Sequence, residues 1–408
     1  MIKKAFLAFC ALFIFLHAHA QLEFSDSVRI SYLTCSPGPD AYERFGHAGI
    51  RIQDQRYAGL DITFHYGVFS FNAPNFVYRF VKGETDYQLG AQYTSDFVEG
   101  YRRRGLGMVE QWLRLDSAQC QDLIHRLLVN YRPENRTYRY SYFFDNCSTR
   151  PYNLLNHSTD YTIRYDSAWT NAITLRQMVQ QKTGTDNWLD FGIALAVAVR
   201  SDIPTIYKEQ MFLPDYLMQA LEHAEIPTQV GESRWMTPIV ERTDTLLVMR
   251  QDVEEAISSS DPIAPNTVFG LVLLIALLIS GLNYSDLQKK ESVRILSNTF
   301  DSIVLLGIGI TGFIVWFLNF FSLHPAVDHN INCLWLLPTH VIMAVLIWFK
   351  KMDKVCRVYF GITFAAIVLY VILDWMNGQY CPNAFLLLLA TLLLRSFMHF
   401  GIVRKTNK

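Results

Sequence analysis

The sequence predicts an α+β exported domain over residues 21–260, followed by an α-helical transmembrane bundle over 261–408. Three observations predict it. The first twenty residues read as a secretory leader. The stretch 265–402 is mostly continuous apolar sequence, whereas 21–260 is an ordinary polar–apolar mixture. Within 21–260, period-two strand patterns mingle with helical ones without regular β–α alternation. A chain of 408 residues holds two or three domains at typical sizes. Its formal net charge of −1, with no long basic stripe, argues against nucleic acid as a partner.

Met1-Ile2-Lys3-Lys4 is a basic start, and Ala5 to Leu16 is an uncharged apolar run. Ala18-His19-Ala20 has the small-residue form of a cleavage site, so cleavage is expected after Ala20. Residues 262–285 and 302–323 are uncharged and long enough to cross a hydrocarbon core of about 30 Å. Further spans are expected at 330–349, 358–376 and 383–402, about five in all. Arg395 falls towards the inner end of the last, where its side chain is expected to snorkel to the interface. The loop 286–301 carries Lys289, Lys290 and Arg294, and the loop 350–357 carries Lys350, Lys351, Lys354 and Arg357. The tail carries Arg404, Lys405 and Lys408, while 324–329 and 374–382 have no Lys or Arg. The positive-inside rule places the charged loops and the tail in the cytoplasm. Residues 21–260 then lie outside, as the leader independently requires.

In the exported domain, Val28, Ile30 and Tyr32 alternate as in a half-buried strand, ended by Pro37-Gly38-Pro39-Asp40. His47–Ile52, Asp61–Phe71 and Met108–Leu115 are expected strands, and 74–82 and 94–104 are expected helices. A helix capped by Ser117 is expected to run to Tyr131. A Tyr-rich strand should run from Tyr138 to Phe144, and Asn146 to Leu155 should begin another helix. Residues 169–225 read as mostly helical, and Ser258-Ser259-Ser260-Asp261-Pro262 reads as the linker to the membrane.

The chemistry rests on few residues. Three of the seven cysteines fall in the exported domain: Cys35, Cys120 and Cys147. An odd count in an oxidising compartment permits one disulfide and one free thiol, and a Cys35–Cys120 bridge stays open. Cys147, in Asp145-Asn146-Cys147-Ser148-Thr149-Arg150, sits between a strand and a helix start. There the backbone dipole and N–H groups favour a thiolate and can receive an oxyanion; the other reading is a buried structural thiol. His47 opens a strand with Gly49 and Arg51 on its face, opposite Ile50 and Ile52, which makes it a candidate base facing a cleft. His65, on the next strand, is placed to orient that imidazole. No close His/Cys spacing suggests a metal site and no glycine-rich phosphate loop is present, so neither metal nor cofactor is expected.

These residues lie in blocks that resemble the Lnb-type lipoprotein N-acyltransferases: FGHAGIRI (45–52), HYGVFSFNAPNFVYRFVKGETDYQLG (65–90) and YSYFFDNCSTRPYNLL (140–155). EQMFLPDYLMQAL (209–221) and HPAVDHNINCLWLLP (324–338) also fit. The His-first, Cys-later order is similar to permuted papain-like, NlpC-type thiol enzymes. The resemblance implies Cys147 as nucleophile, His47 as base and His65 as the third group, with Tyr66 or Asp61 as alternatives for the third. It implies an inner-membrane enzyme with a periplasmic N-terminal domain and a cytoplasmic C-terminus. That enzyme would move an acyl chain from a membrane phospholipid, through a cysteine thioester, to the N-terminal amine of bacterial diacylglyceryl-cysteine lipoproteins. Tyr66, Arg150, His324 and Asn330 are candidate substrate-binding residues. Arg150 either holds a phosphate or braces the helix start, and His324, Asp328, Asn330 and Asn332 either line an entrance or form a wet turn. His340, at membrane depth, is either functional or a helix-to-helix hydrogen bond. Two other readings stay open: a membrane-anchored NlpC-type peptidase acting on peptidoglycan, and a non-catalytic lipoprotein-binding membrane protein.

Overall fold

The computed structural model describes residues 24–401 apart from 26, 58, 167–171, 231–232, 260 and 286–289. The leader, Lys289 and the basic tail lie outside the described residues. The exported part begins with β1 (Val28–Cys35), β2 (His47–Asp54), β3 (Leu60–Val68), α1 (Phe76–Lys82), β4 (Asp86–Tyr93), α2 (Thr94–Arg104) and β5 (Met108–Leu113). It continues with α3 (Ser117–Tyr131), β6 (Thr137–Arg139), α4 (Thr149–Ser158), β7 (Arg164–Tyr165), α5 (Leu175–Thr183) and α6 (Trp188–Ala196). Next come α7 (Tyr207–Gln210), α8 (Pro214–Glu222), β8 (Ala224–Val230), β9 (Ser233–Pro238), β10 (Val240–Leu247) and α9 (Gln251–Ser258). The C-terminal part is α10 (Pro265–Tyr284), α11 (Glu291–Phe321), α12 (His340–Leu346), α13 (Asp353–Asn377) and α14 (Asn383–Phe400). This is the α+β domain followed by a helical region that the sequence predicts.

Seven antiparallel strands form the main sheet in the order β10-β5-β1-β2-β3-β4-β6. Alternation sets its two faces. Tyr32 and Ile30 of β1 and Ala48, Ile50 and Ile52 of β2 pack under Leu123, Ile124 and Leu127 of α3, Leu155 of α4 and Leu217 of α8. Each fully buried isoleucine there contributes about 1.5–3 kcal/mol. The other face holds Leu33, Cys35, Met108 and Phe97 of α2. Beside them Arg51 ties Asp61 to the buried Glu110. Cys35 and Cys120 are both free thiols on opposite faces of this sheet, so no bridge joins them.

Several expectations change in detail. Asp116, not Ser117, caps α3: its carboxylate accepts from Gln119 N at 2.9 Å while Gln119 Oε1 accepts from Asp116 N at 3.0 Å, a reciprocal capping box. The strand expected over Tyr138–Phe144 stops at Arg139. Ser141 and Asp145 exchange backbone hydrogen bonds of 3.0 Å and fold the chain back on itself. Strands β8 and β9, unread in the sequence, join β7 in a small three-stranded sheet, and β10, also unread, forms one edge of the large one. The linker is pinned by Asp261, which accepts Trp188 N at 2.8 Å.

Among the described residues, four helices are long and apolar enough to cross a membrane: α10, α11, α13 with its lead-in turn, and α14. The third expected span, 330–349, is not a continuous helix. It contains a short 3-10 turn at Ile331–Leu334 and the seven-residue α12. Pro338, which lacks an N–H and disfavours helix before it, separates the two. The segment nevertheless runs antiparallel along α11. Asn319 accepts Asn330 N, Trp316 donates to Cys333 O, Ser302 to Ala344 O and Asn298 to Ile347 O. From Asn298 to Asn319 is about 30 Å at 1.5 Å per helical residue, the thickness of a hydrocarbon core. Irregular backbone at that depth persists only where protein covers it. The cover comes from these side chains and from Gly309 and Gly312, where an added Cβ would meet Val341 N at 2.7 Å and Leu336 O at 2.5 Å. His340 makes the helix-to-helix hydrogen bond that was one of its two expected roles: Tyr359 OH of α13 lies 2.8 Å from Nδ1, and Nε2 donates to Trp335 O at 3.1 Å.

Arg395 does not snorkel. Helix α11 begins at Glu291, so the loop expected over 286–301 is shorter and Asp301 lies within the helix. Arg395 turns inward and pairs with Asp301, both 3% exposed. The exported domain sits directly on the bundle. Phe191 of α6 packs on Phe269 and Phe385, and Asn330 donates to Leu195 O. On another side, Leu323 N donates to Lys82 O at the end of α1.

Candidate active site

Asn146 builds the turn that presents Cys147. Its Oδ1 accepts the N–H groups of Ser148 and Thr149, each at 2.9 Å. Its Nδ2 donates to Tyr142 O at 2.7 Å and Phe212 O at 2.8 Å. Cys147 therefore stands one residue before the Ser148 cap of α4, slightly outside the helix start that the sequence suggested. The backbone N–H groups of Ala48 and of Cys147 itself act on the sulfur. These favour a thiolate, but burial opposes it more strongly and pushes the thiol up to about 12. The expected low-pKa thiolate is not the resting form; a neutral thiol is.

The paired register of β2 and β3 ends at Ile50 opposite Phe64, and β3 bulges between His65 and Val68. This shortens the strand expected to reach Phe71. Gly67 lies in the bulge at φ +94°, a backbone region open to glycine. A Cβ added there would lie 3.7 Å from Cys147 Cβ and 3.8 Å from both His47 Cε1 and Tyr140 Cε2. Cys147, His47 and Tyr140 thus approach one another around Gly67, whose positive φ disfavours any other residue there.

His47 Nε2 lies 3.1 Å from His65 Nδ1, with the rings at 81°. That pairing leaves Nδ1 of His47 as the nitrogen available to the sulfur. His65 is itself wedged between Phe97, at 5.2 Å ring to ring, and Gly90, where an added Cβ would sit 3.1 Å from Nε2. Burial, then the neighbouring His65, lowers His47 to about 3, and burial lowers His65 to about 4. Both imidazoles are neutral at physiological pH, the form in which one can accept a proton.

A pH dependence follows. An unfolded imidazole takes its proton near 6.5 and these folded ones only near 3 to 4, so the unfolded chain binds more protons in that window. Stability is full above pH 6.5 and falls as pH drops below it, by at most about 1.4 kcal/mol per pH unit for each imidazole. Thermal unfolding in detergent at pH 7.5 and 5 measures this, and His47→Gln should flatten the difference. An unfolding temperature that is unchanged between the two would contradict the burial argument.

The candidate substrate-binding residues spend their polar atoms inside the protein. Tyr66 OH donates to Asn130 at 2.8 Å on the α3 face, away from the histidines. Arg150 makes a bidentate pair with Asp145 and lies 3.5 Å over the Tyr138 ring, so it braces the start of α4. Asp61 is held by Arg51 and does not reach His47. His324 Nε2 lies 2.6 Å from Phe80 O, and buried Asn330 links α6 to Gln379. Sequence reasoning passed over Asn146, Gly67, Gly90 and Tyr140. The glycine after Tyr66 and the Asn directly before Cys147 were the available signals. Among the described residues, no group of three or more His, Cys, Asp or Glu side chains could hold a metal ion.

Two family models match the chain. The Lnb N-terminal periplasmic domain matches residues 20–181, which include His47, His65 and Cys147, and the Lnb transmembrane domain matches residues 257–407. No curated protein and no solved structure gives a match. With both halves matched in order, the chain is a membrane protein with a periplasmic N-terminal domain, and it belongs to the Lnb family, which suggests lipoprotein N-acylation.

Proposed function

We propose that the protein is a cysteine-dependent lipoprotein N-acyltransferase of the inner membrane, with its C-terminus in the cytoplasm and a membrane phospholipid as acyl donor. The observation that carries this reading is the convergence of Cys147 and His47 at Gly67, with His65 behind His47, in a domain seated on the bundle.

As Cys147 sulfur attacks the donor's ester carbonyl, His47 Nδ1 takes the thiol proton, and His65 accepts a hydrogen bond from the imidazolium at Nε2. Because the thiol is neutral at rest, its deprotonation is coupled to attack. The Ala48 and Cys147 N–H groups, which favour a thiolate, would serve as the donors to the developing oxyanion. The C–O bond breaks, His47 returns the proton to the departing alkoxide, and a lysophospholipid leaves. The α-amine of a diacylglyceryl-cysteine then attacks the thioester. His47 takes one amine proton, the C–S bond breaks, and the proton returns to sulfur, leaving an amide and the starting thiol. The burial of Cys147 keeps water from the thioester. Docking on the bundle lets both lipids react without leaving the bilayer.

Incubating the purified full-length protein with phosphatidylethanolamine vesicles and no amine acceptor tests this directly. The intact mass should rise by one acyl group, located on Cys147 and released by hydroxylamine. A label on another residue, or none while lipoproteins are still N-acylated, sinks the thioester route.

A further inference from the structure

The aromatic rings between the bundle and Cys147 form a connected series. Phe80 and Phe76 of α1 stack at 6.0 Å, Phe76 and Phe69 at 5.8 Å, Phe69 meets Tyr87 at 4.9 Å, and Tyr87 stacks on Tyr140 at 4.3 Å. Tyr140 ends the series at the same Gly67 point that Cys147 and His47 share.

The far end of this series lies at the membrane. Helix α1 is joined to the end of α11. Leu323 N donates to Lys82 O, Ser322 Oγ to Val81 O, and the Tyr78 ring lies 6.1 Å from that of Phe317. Gly83 closes the joint, since a Cβ there would stand 3.0 Å from His324 N. The last turn of α11 exposes Phe320 and Phe321, and α1 exposes Val77 at 73% and Phe80 at 49%. Exposed apolar side chains of a membrane-crossing helix are therefore followed by exposed apolar side chains on α1, with Lys82 and His324 at the junction between them. An exposed aromatic surface of this kind on a domain fixed to the bilayer marks a lipid contact.

We propose that this aromatic strip seats one hydrocarbon chain of a bilayer glycerolipid, guiding its ester carbonyl from the outer leaflet to Cys147. The proposal rests on the acyltransferase reading and adds to it the residues that hold the chain. Phe80 is exposed and Phe76 and Phe69 are half-buried, so these outer rings offer an apolar wall with little side-chain entropy to lose, suited to a flexible chain of methylenes, while the buried Tyr87 and half-buried Tyr140 lead inward to Gly67.

The test uses the full-length protein in phosphatidylethanolamine vesicles doped with a phospholipid carrying a photoreactive diazirine in its acyl chain. Crosslinks are expected on residues 69–87, in wild type and equally in Cys147→Ala. Replacing two exposed rings, Phe80 and the Phe71 ring that packs 4.7 Å from Phe69 and 5.2 Å from Phe76, by Phe71→Asn with Phe80→Asn should slow Cys147 acylation from the long-chain lipid about tenfold. Acylation by a water-soluble butyryl thioester should stay unchanged. Crosslinks confined to the bundle, no loss with the long-chain lipid, or equal loss with both donors overturns the strip as the chain's seat. Crosslinks on the strip with no acylation of Cys147 uphold the seat and instead remove the acyltransferase reading.

Discussion

Cys147→Ala is expected to abolish the proposed N-acylation, with turnover falling by about 10⁴-fold or more, the loss typical when a covalent nucleophile is removed. Cys147→Ser is expected to be nearly as inert. The site stabilises a neutral sulfur acid and pushes its thiol up to about 12, so an alcohol, a weaker acid still, gives His47 a proton it cannot remove. Mass spectrometry of lipoprotein N-termini, in a host with no other such enzyme, measures the outcome. Triacylated lipoproteins made by either variant would remove Cys147 from the chemistry. Altered muropeptides with unchanged lipoproteins would favour a peptidase.

Arg395→Leu is expected to cost the bundle about 3–5 kcal/mol, the usual loss when one partner of a buried ion pair is removed. Arg395 donates to Asp301 twice, at 2.6 and 2.8 Å, and to Ser280 at 2.8 Å and Ser297 at 2.5 Å. One guanidinium thereby joins α10, α11 and α14. His399 adds a second partner for Asp301 at 2.7 Å. Without Arg395 the carboxylate is left buried with His399 alone, and three helices lose their shared donor. Thermal unfolding in detergent should show a clear fall for Arg395→Leu and recovery in the double variant Asp301→Leu/Arg395→Leu, where no charge is stranded. A single variant as stable as wild type would show that the pair contributes nothing.

Much of the architecture was legible because it follows from periodicity. Val28, Ile30 and Tyr32 alternate, and β1 is a strand with those side chains in the core. The parity of His47 with Gly49 and Arg51 separated it from Ile50 and Ile52, and it does face the α2 side with His65. The long apolar runs became α10, α11, α13 and α14. Residues 330–349 were harder: the run is apolar enough to cross but too interrupted to be one helix, and hydropathy measures only the first property. Arg395 was misplaced for a related reason. A charge near a helix end can reach solvent or a partner, and the partner, Asp301, lies 94 positions away in the chain.

Sequence alone determined the two-part organisation, the strands and helices with clear periods, and the residue types able to carry acyl transfer. Those follow from local rules: which side chains recur at 2 or 3.6 residues, and which stretches lack charge. Tertiary structure alone decided the ionisation of Cys147, the pairing of His47 with His65, and the inward turn of Arg395. Each depends on how much water is excluded and which distant dipole or charge replaces it, and a linear chain does not contain that quantity.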